Sequence, residues 1–309
     1  MKNKLTPMSE VLKKAYSNNY VVGAFNFSSI EVMRAIVDAA NNVKSPVILA
    51  LSESGLRYAD ARYLSRVIEA ALEESSVPLV LHLDHGKDFA LVKEVIGAGF
   101  NSVMIDGSSL PFEENVKLTK QVVDYAHERG VDVEGELGSL AGVEDDVSNE
   151  VGHYTNPEQA AEFVRLTGVD SLAIAIGTSH GAFKFKGEAR LRFDILDEVA
   201  RLLPGLPIVL HGASSVPEAI VAKINKYGGA VEGAKGVPDE MFKRVCASSV
   251  CKINSDTDLR MCYTAALREF LALNPTEFTP RKYLQHAKDS VRNMLEDKMT
   301  GILNSAGKA

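Results

Sequence analysis

Residues 77–86 read VPLVLHLDHG, an apolar run that ends in histidine, aspartate and glycine. Because neighbouring residues of a strand point to opposite faces, a run that is apolar at successive positions predicts a strand buried on both faces. Such strands form the parallel sheets of α/β proteins, whose active sites lie at the carboxyl ends of the strands. The segment therefore predicts a buried parallel strand that delivers His82, Asp84 and His85 to a functional site.

Seven further runs have a similar composition, and longer stretches with helical periodicity lie between them. They are VVGAFNF (21–27), PVILALS (46–52), SVMIDGS (102–108), VDVEGELG (131–138), SLAIAIG (171–177), PIVLHG (207–212) and VCKINSD (250–256). Successive β/α units of this kind predict a (β/α)8 TIM barrel, with residues 1–309 as one domain and a C-terminal helical extension. A doubly wound sheet is the alternative, because the number of units does not show that the sheet closes.

The composition is that of an ordinary soluble globular protein, with 46% of the 309 residues hydrophobic and a formal net charge of −7. An acidic protein has no general attraction for nucleic acid or anionic membranes, so an anionic ligand must be held by local groups. No segment approaches the ~18 apolar residues of a membrane span, and the N-terminal residues lack the apolar core of a signal peptide. Cys246, Cys251 and Cys262 are odd in number and spaced unlike a zinc knuckle, which predicts buried, reduced thiols. Together these features predict a cytoplasmic location.

Polar side chains recur at the carboxyl ends of the predicted strands, from the third strand to the eighth. They are His82, Asp84, His85, Asp106, Glu134, Glu136, His180, His211, Asn254 and Asp256. In a closed barrel these strand ends meet at one mouth, where the active site lies. The sequence therefore predicts that these side chains form one site.

Three histidines stand out as candidate metal ligands. His85, His180 and His211 follow three different strands, and each precedes a glycine at which the backbone can turn away. Three imidazoles around an open position are the ligand set of catalytic zinc, which predicts a bound divalent metal. The other histidines are expected elsewhere: His82 in the core or supporting a ligand, His127 and His286 facing solvent, and His153 without an assignment.

The carboxylates near these histidines have several candidate roles. Asp84 is placed to act as a base, but Asp84 and His85 can serve one site only if the strand has ended by about Leu83. Asp106 and Glu136 either supply oxygen ligands for a second or displaced metal position or orient the imidazoles, and both interpretations stay open.

Two long connections, residues 139–155 and 178–192, are expected to be functional loops. Glu144 in the first loop belongs either to a solvated acidic cluster or to a lid that brings a proton donor to the closed site. A third insertion, GGAVEGAKGVP (228–238), is expected to be peripheral.

Small residues after the sixth to eighth strands indicate a phosphate site. SHGAFK (179–184), HGASS (211–215) and NSDT (254–257) carry the turns and helix starts that bind phosphate through backbone N–H groups. Lys184 and Arg260 stand nearby in the sequence. These features favour a phosphorylated substrate.

The motifs taken together resemble those of class II, metal-dependent fructose-bisphosphate aldolases. The resemblance extends over nearly the whole chain, through GAFNF, LHLDHG, SVMIDGS, EGELGSLAGVEDD, AIGTSHGAFKFKG, LHGASS, KINSDTDLR and PRKYL. It implies zinc on His85, His180 and His211, with Asp106 and Glu136 at an alternative metal position. One departure is Ser139, which stands where many relatives carry a basic residue.

The resemblance also implies catalytic and substrate-binding roles. Asp84 would act at the C4 hydroxyl, and Glu144 would be the acid and base at the carbon of the triose phosphate. Substrate contacts would come from Asn26, Ser52, Gly181, Lys184, Gly212, Ser214, Asn254, Asp256, Thr257, Arg260 and, from a neighbouring subunit, Arg281. A monovalent cation, Na⁺ or K⁺, near the phosphate loops and a homodimer or homotetramer are further implications.

The implied activity is reversible cleavage of fructose 1,6-bisphosphate to dihydroxyacetone phosphate and glyceraldehyde 3-phosphate, a step of glycolysis and gluconeogenesis. Tagatose-1,6-bisphosphate aldolase is the alternative, but enzymes of that kind resemble a sequence with NVAT where this chain has NSDT. Asp256 therefore favours fructose 1,6-bisphosphate. A metal-free Schiff-base aldolase is disfavoured, because Lys252 is the one lysine in a predicted strand run near the site. A non-catalytic sugar-phosphate binding protein is a remote alternative.

Overall fold

In a computed structural model of the chain, eight parallel strands close into a barrel in the order β1-β10-β9-β8-β5-β4-β3-β2. The barrel strands are β1 (Val22–Asn26), β2 (Val47–Leu51), β3 (Leu79–Gly86), β4 (Ser102–Ile105), β5 (Asp132–Leu137), β8 (Ser171–Ile174), β9 (Ile208–Leu210) and β10 (Val250–Ser255). Closure is explicit in the register of β1, where Gly23 pairs with Val47 of β2 and with Ile253 of β10. The (β/α)8 barrel is therefore confirmed, and the doubly wound alternative is wrong.

The structure describes residues 5–140, 142–144, 147–149, 152–182 and 191–309, and only the backbone of residues 61–62, 143–144, 147–149 and 239. The helices are α1 (Met8–Asn18), α2 (Ile30–Val43), α3 (Glu53–Ala59), α4 (Ala61–Glu74), α5 (Phe89–Gly97), α6 (Phe112–His127), α7 (Pro157–Thr167), α8 (Phe193–Leu202), α9 (Glu218–Lys226), α10 (Asp239–Cys246), α11 (Thr257–Leu273) and α12 (Pro280–Gly301). Within these described ranges, no helix has the length and apolarity needed to cross a bilayer.

The strands are buried on both faces, as the apolar runs predict. Their outward side chains pack against the surrounding helices in one large apolar cluster that includes Leu49, Leu81, Val103 and Ile253. Side-chain caps fix where several helices begin: the hydroxyl of Ser29, for example, accepts a hydrogen bond from the backbone N–H of Val32 at the start of α2.

Helix α1, which the strand pattern did not predict, packs against residues near the amino-terminal ends of the strands. Met8 and Leu12 of α1 share an apolar cluster with Val22, Ile48 and Val80. The helix therefore covers the amino-terminal side of the barrel, and the functional side chains lie at the carboxyl ends of the strands.

The C-terminal extension is confirmed as helix α12. It packs along α2 and α11, and its Lys288 Nζ lies 2.6 Å from Asp38 Oδ2 of α2. A second buried lysine of this helix, Lys298, pairs with Asp258 at the start of α11.

The insertion at residues 228–238 is not peripheral, contrary to the expectation from its sequence. The backbone N–H of Lys235 donates to Ala182 O at 2.9 Å, and that of Val237 donates to Ser214 O at 3.1 Å. The insertion therefore lies against the loops that follow β8 and β9, and Gly236 allows its backbone to approach Ser214 and Ser215 closely.

Candidate metal centre and active site

The end of β3 explains how adjacent residues serve one site. The strand does not end at Leu83, as the alternation of side chains required, but continues to Gly86. Its register against β4 instead shifts between Leu83 and Gly86, and His85 adopts a φ of 47°. This bulge turns both Asp84 and His85 toward the barrel mouth, at a backbone cost on the order of 1 kcal/mol.

Gly86 makes this bulge possible. A Cβ atom at this position would lie 2.6 Å from Met104 O and 2.8 Å from Leu83 Cδ2. Because such contacts are too close, the glycine of the HG pair is needed for the approach of β3 to β4 as well as for the turn.

The three candidate ligand histidines lie together at the mouth of the barrel. The ring centroid of His85 lies 4.6 Å from that of His211 and 5.1 Å from that of His180, and all three side chains are buried. His85 comes from the end of β3, while His180 and His211 follow β8 and β9. Residues that are far apart in the sequence are thus brought into contact by closure of the barrel.

Hydrogen bonds to neighbouring carboxylates select which nitrogen of each imidazole is available. Nδ1 of His85 lies 3.0 Å from Asp106 Oδ2, and Nε2 of His211 lies 2.7 Å from Glu134 Oε1. Because a carboxylate accepts the N–H, these contacts leave Nε2 of His85 and Nδ1 of His211 with lone pairs. Nε2 of His85 is buried and has no hydrogen-bond partner among the described residues.

The electrostatic environment of the histidines favours a cation. Burial lowers the pKa of His85, but Asp84 and Asp106 outweigh it and raise this pKa well above its usual value. Burial and the neighbouring His85 hold the pKa of His211 well below its usual value. The carboxylates therefore favour one positive charge at His85, and a metal ion supplies such a charge in place of a proton.

Two groups of donor atoms fit a metal ion, each with its atoms within 4.8 Å of one another. The first is formed by Asp84, His85 and His211, and the second by His85, Asp106 and Glu136. Burial and the nearby Asp106 raise the pKa of Glu136 well above its usual value, and its Oε2 is buried without a hydrogen-bond partner in the described part of the chain. Asp106, whose pKa the neighbouring His85 lowers in spite of burial, carries the negative charge of this group, and Glu136 adds an oxygen that a metal ion could bind.

Two amides hold the carboxylate of Asp84. Nδ2 of Asn26 donates to its Oδ2 at 2.7 Å, and Nδ2 of Asn254 donates to its Oδ1 at 2.8 Å. Burial raises the pKa of Asp84, but His85 and His211 outweigh it, so that the net shift is downward and the carboxylate is ionised. The Oδ1 atoms of both asparagines are buried and unpartnered within the described residues, which makes them available to ligand hydroxyl groups.

A buried ion pair lies beneath His211. Nζ of Lys252 lies 2.8 Å from Oε2 of Glu134, whose other oxygen accepts the hydrogen bond from His211. His82 lies in the core beside this pair, with its Nδ1 2.8 Å from Ser102 Oγ. The sequence analysis assigned no supporting role to Glu134 or Lys252. The available signal was their spacing: each lies two residues before a residue of the mouth, Glu136 or Asn254, and therefore on the same face of its strand, one layer deeper in the barrel.

The loops of the predicted phosphate site also meet at the mouth. Gly181 and Gly212 have φ values of 79° and 61°, and Ser214 is buried in the loop after β9. Thr257 is the first residue of α11, so the N-terminus of this helix points into the same region with its positive partial charge. The side chain of Asp258 accepts hydrogen bonds from Ser215 N at 3.1 Å and Val216 N at 2.8 Å, which fixes the loop after β9.

A cavity of about 700 Å³ adjoins the site at Asn26, the residue whose amide donates to Asp84. Four residues predicted to bind substrate line it: Asn26, Ser52, Asp256 and Arg260. Arg260 forms an ion pair with Asp256, with 2.6 Å between Nη2 and Oδ2. Arg281 is exposed at the start of α12 and is not among the described residues of this chain that line the cavity, so its role toward a neighbouring subunit stays a prediction.

The long loop after β5 contains a short antiparallel hairpin, formed by β6 (Gly142–Glu144) and β7 (Val147–Asn149). A Cβ atom on Gly142 would lie 2.5 Å from His180 O, so the hairpin begins directly beside a candidate ligand. The backbone of Glu144 belongs to β6, whereas its side chain lies outside the described part of the structure, as does all of Lys184.

Comparison with known proteins places this geometry in a family. Residues 6–308 match the family described as fructose-bisphosphate aldolase class-II. The chain is 45% identical to the fructose-bisphosphate aldolase of Treponema pallidum (99% of this chain, 98% of the relative) and 48% identical to that of Giardia intestinalis (99% and 94%). Among solved structures, the YdjI aldolase of Escherichia coli K12 superimposes with a TM-score of 0.80 at 30% identity, with 99% of each chain covered.

Proposed function

Because the chain belongs to the class II fructose-bisphosphate aldolase family of lyases, we propose that it cleaves fructose 1,6-bisphosphate reversibly to dihydroxyacetone phosphate and glyceraldehyde 3-phosphate. The observation that carries the proposal is the meeting of His85 and His211 around the ionised Asp84, which Asn26 links to a cavity of about 700 Å³. The enzyme would act in glycolysis and gluconeogenesis as one catalytic domain, in a cytoplasmic homodimer or homotetramer.

The residues fit a metal ion, and zinc is the metal we propose. His85 would bind it through Nε2 and His211 through Nδ1, with His180 as the third ligand and Asp106 and Glu136 at a second position. When bound, the ion supplies positive charge that stabilises the oxyanion developing as the C3–C4 bond breaks. The unpartnered Nε2 of His85, within the described part of the chain, supports this ligand set.

Asp84 is the group we assign to the C4 hydroxyl. Its carboxylate is ionised, and the amides of Asn26 and Asn254 fix its orientation at the edge of the cavity. In the cleavage direction it accepts the hydroxyl proton as the aldehyde forms, and in the condensation direction it returns that proton.

Glu144 is the acid and base that we assign to the carbon of the triose phosphate. Its place on a hairpin that begins beside His180 supports this role, because closure of such a loop excludes water when the proton is transferred. The phosphate of the same triose would be held by the loops at Gly181, Gly212 and Ser214 and by Asn254, Thr257 and Lys184, with Na⁺ or K⁺ nearby.

Asp256 separates the two candidate sugars. Its carboxylate pairs with Arg260 at the wall of the cavity, where the half of the substrate beyond C4 would lie. We therefore favour fructose 1,6-bisphosphate over its C4 epimer, tagatose 1,6-bisphosphate.

The test is an assay of the purified protein with both bisphosphates, before and after removal of metal by a chelator. We expect cleavage of the fructose substrate, its loss on chelation and its return on addition of Zn²⁺. Cleavage that survives complete loss of metal contradicts the mechanism, and equal rates with the two sugars contradict the substrate assignment. Binding of sugar phosphate without cleavage supports a non-catalytic binding protein instead.

A further inference from the structure

The insertion expected to be peripheral contacts both loops of the proposed phosphate site. We call its residues Ala234–Val237 the bridge segment. The N–H of Lys235 donates to Ala182 O in the loop after β8, and the N–H of Val237 donates to Ser214 O in the loop after β9. Two backbone hydrogen bonds, two residues apart, thus join the bridge segment to two loops that belong to different β/α units.

Gly236, between these two donors, lies against the backbone of the loop after β9. A Cβ atom on Gly236 would lie 2.3 Å from both C and O of Ser215 and 2.4 Å from Ser214 O. These are backbone atoms, which cannot rotate away as the end of a flexible side chain can. A side chain at position 236 therefore requires either the bridge segment or the loop to move.

The bridge segment is itself anchored on both sides of Gly236. Ala234 is buried in a small apolar cluster with Val216, Ile224 and Met261, and Val237 is buried in the main core. Displacement of the segment away from the loop would expose these apolar side chains to water, which is unfavourable. The loop is anchored in the same way, since its Val216 belongs to the small cluster and its Ala213 to the main core.

The opposite side of the loop after β9 is fixed by the carboxylate of Asp258, which accepts the N–H groups of Ser215 and Val216. Val216 has a φ of 44°, which is unfavourable for a β-branched residue and is maintained by these contacts. The loop is thus held between Asp258 and the bridge segment, and the position of Ser214 depends on both.

We propose that the bridge segment is a positioning element of the substrate-phosphate site, in which Gly236 sets the position of Ser214–Ser215 relative to the loop after β8. The inference rests on the proposed function, because it takes these loops as the phosphate site. Among the described residues, the N–H groups of Lys235 and Val237 and the close approach of Gly236 go to the two loops rather than to the candidate metal ligands or Asp84. Its influence is therefore on binding of the phosphate group rather than on bond cleavage.

The test compares Gly236→Ala with Gly233→Ala in the same insertion. Gly233 has a φ of 80°, and among the described residues no heavy atom lies within 4 Å of the position that its Cβ would take, so its substitution strains the insertion without contacting the loop. We expect Gly236→Ala to raise the dissociation constant of inorganic phosphate, measured by calorimetry, and the KM for fructose 1,6-bisphosphate by about tenfold. Its kcat and zinc content should stay within about twofold of wild type. The reason is that the phosphate group is bound equally in the substrate and in the transition state, so weaker phosphate binding raises KM and leaves kcat unchanged.

The proposal is overturned if Gly236→Ala binds phosphate as tightly as Gly233→Ala does, or if it loses zinc and kcat together. Amide exchange of the wild-type protein gives a second measurement in case Gly236→Ala does not fold. Inorganic phosphate should slow exchange at Lys235 and Val237, whose N–H groups bond to the loops, and unchanged exchange there contradicts the proposal. If wild type binds phosphate but cleaves no bisphosphate, the proposed function fails while the inference can still hold.

Discussion

Lys252 Nζ lies 2.8 Å from Glu134 Oε2, and both side chains are fully buried inside the barrel. The other oxygen of Glu134 accepts a hydrogen bond from Nε2 of His211, which leaves Nδ1 for a ligand. The ion pair therefore acts on the proposed metal site through one imidazole: Glu134 fixes the tautomer and the orientation of His211, and Lys252 holds Glu134 in place.

Replacing Lys252 with methionine is expected to lower zinc affinity by about 10–100-fold, because Glu134 loses its partner and no longer holds His211 in one orientation. The free energy of unfolding is also expected to fall by about 3–5 kcal/mol, since a buried carboxylate is left unpaired. Chelator competition and urea unfolding measure the two effects.

Lys288→Met is the matched control, because Lys288 is also a largely buried lysine paired with an aspartate, but on α12 and against α2. It should destabilise the fold without changing zinc affinity. Equal zinc affinity in Lys252→Met, Lys288→Met and wild type would mean that the buried pair has no influence on the site.

Substitutions at the mouth should separate metal binding from proton transfer. His180→Ala is expected to lose bound metal, whereas Asp84→Asn and Glu144→Gln are expected to keep it and lose about 10²–10⁴-fold in kcat, the usual worth of a positioned acid or base. Metal analysis of the purified variants and steady-state kinetics measure these outcomes. A His180→Ala variant that retains a full complement of metal removes His180 from the ligand set.

The sequence was sufficient to predict the barrel and most of the residues that lie at its mouth, for a physical reason. Apolar runs such as VPLVLHLDHG report burial on both faces, and the polar residues after them report the carboxyl ends that closure brings together. The sequence did not show the bulge that turns His85, because a positive φ at a histidine follows from its contacts with β4 and not from its own preference. Nor did it show the place of residues 234–237, because their contacts are backbone hydrogen bonds that no side-chain pattern encodes.

The three cysteine thiols are expected to be unreactive in the folded protein. Burial raises the pKa of Cys246 and Cys251 to about 12 and that of Cys262 to about 11. Because the thiolate is the nucleophile, reaction with Ellman's reagent at pH 8 should be slow in buffer and complete for all three thiols in denaturant. Rapid reaction of one thiol in the native protein would show that its surroundings open, and the cysteine concerned is identified by mass spectrometry.

Acid stability should depend on Asp258, which is fully buried and paired with Lys298. Burial raises the pKa of Asp258, but Lys298 and the backbone N–H groups outweigh it, and the net shift is downward. A carboxyl group whose pKa is lower in the folded state stabilises the fold above its unfolded pKa of about 3.9, and that contribution is lost as the pH falls below this value. Urea midpoints measured from pH 7 to pH 3 should therefore fall less steeply for Asp258→Asn than for wild type below about pH 4.

The exposed pair of Asp194 and Arg192 provides the control for the loss of stability at acid pH. Its carboxyl pKa is also lowered, by a hydrogen bond from Arg192, but water and salt screen the pair. Asp194→Asn should follow the wild-type pH dependence closely, so that a difference confined to Asp258→Asn identifies the buried carboxylate as its source. If both variants track wild type down to pH 3, the contacts of Asp258 with Lys298 and with the loop after β9 contribute no proton-linked stability in this pH range.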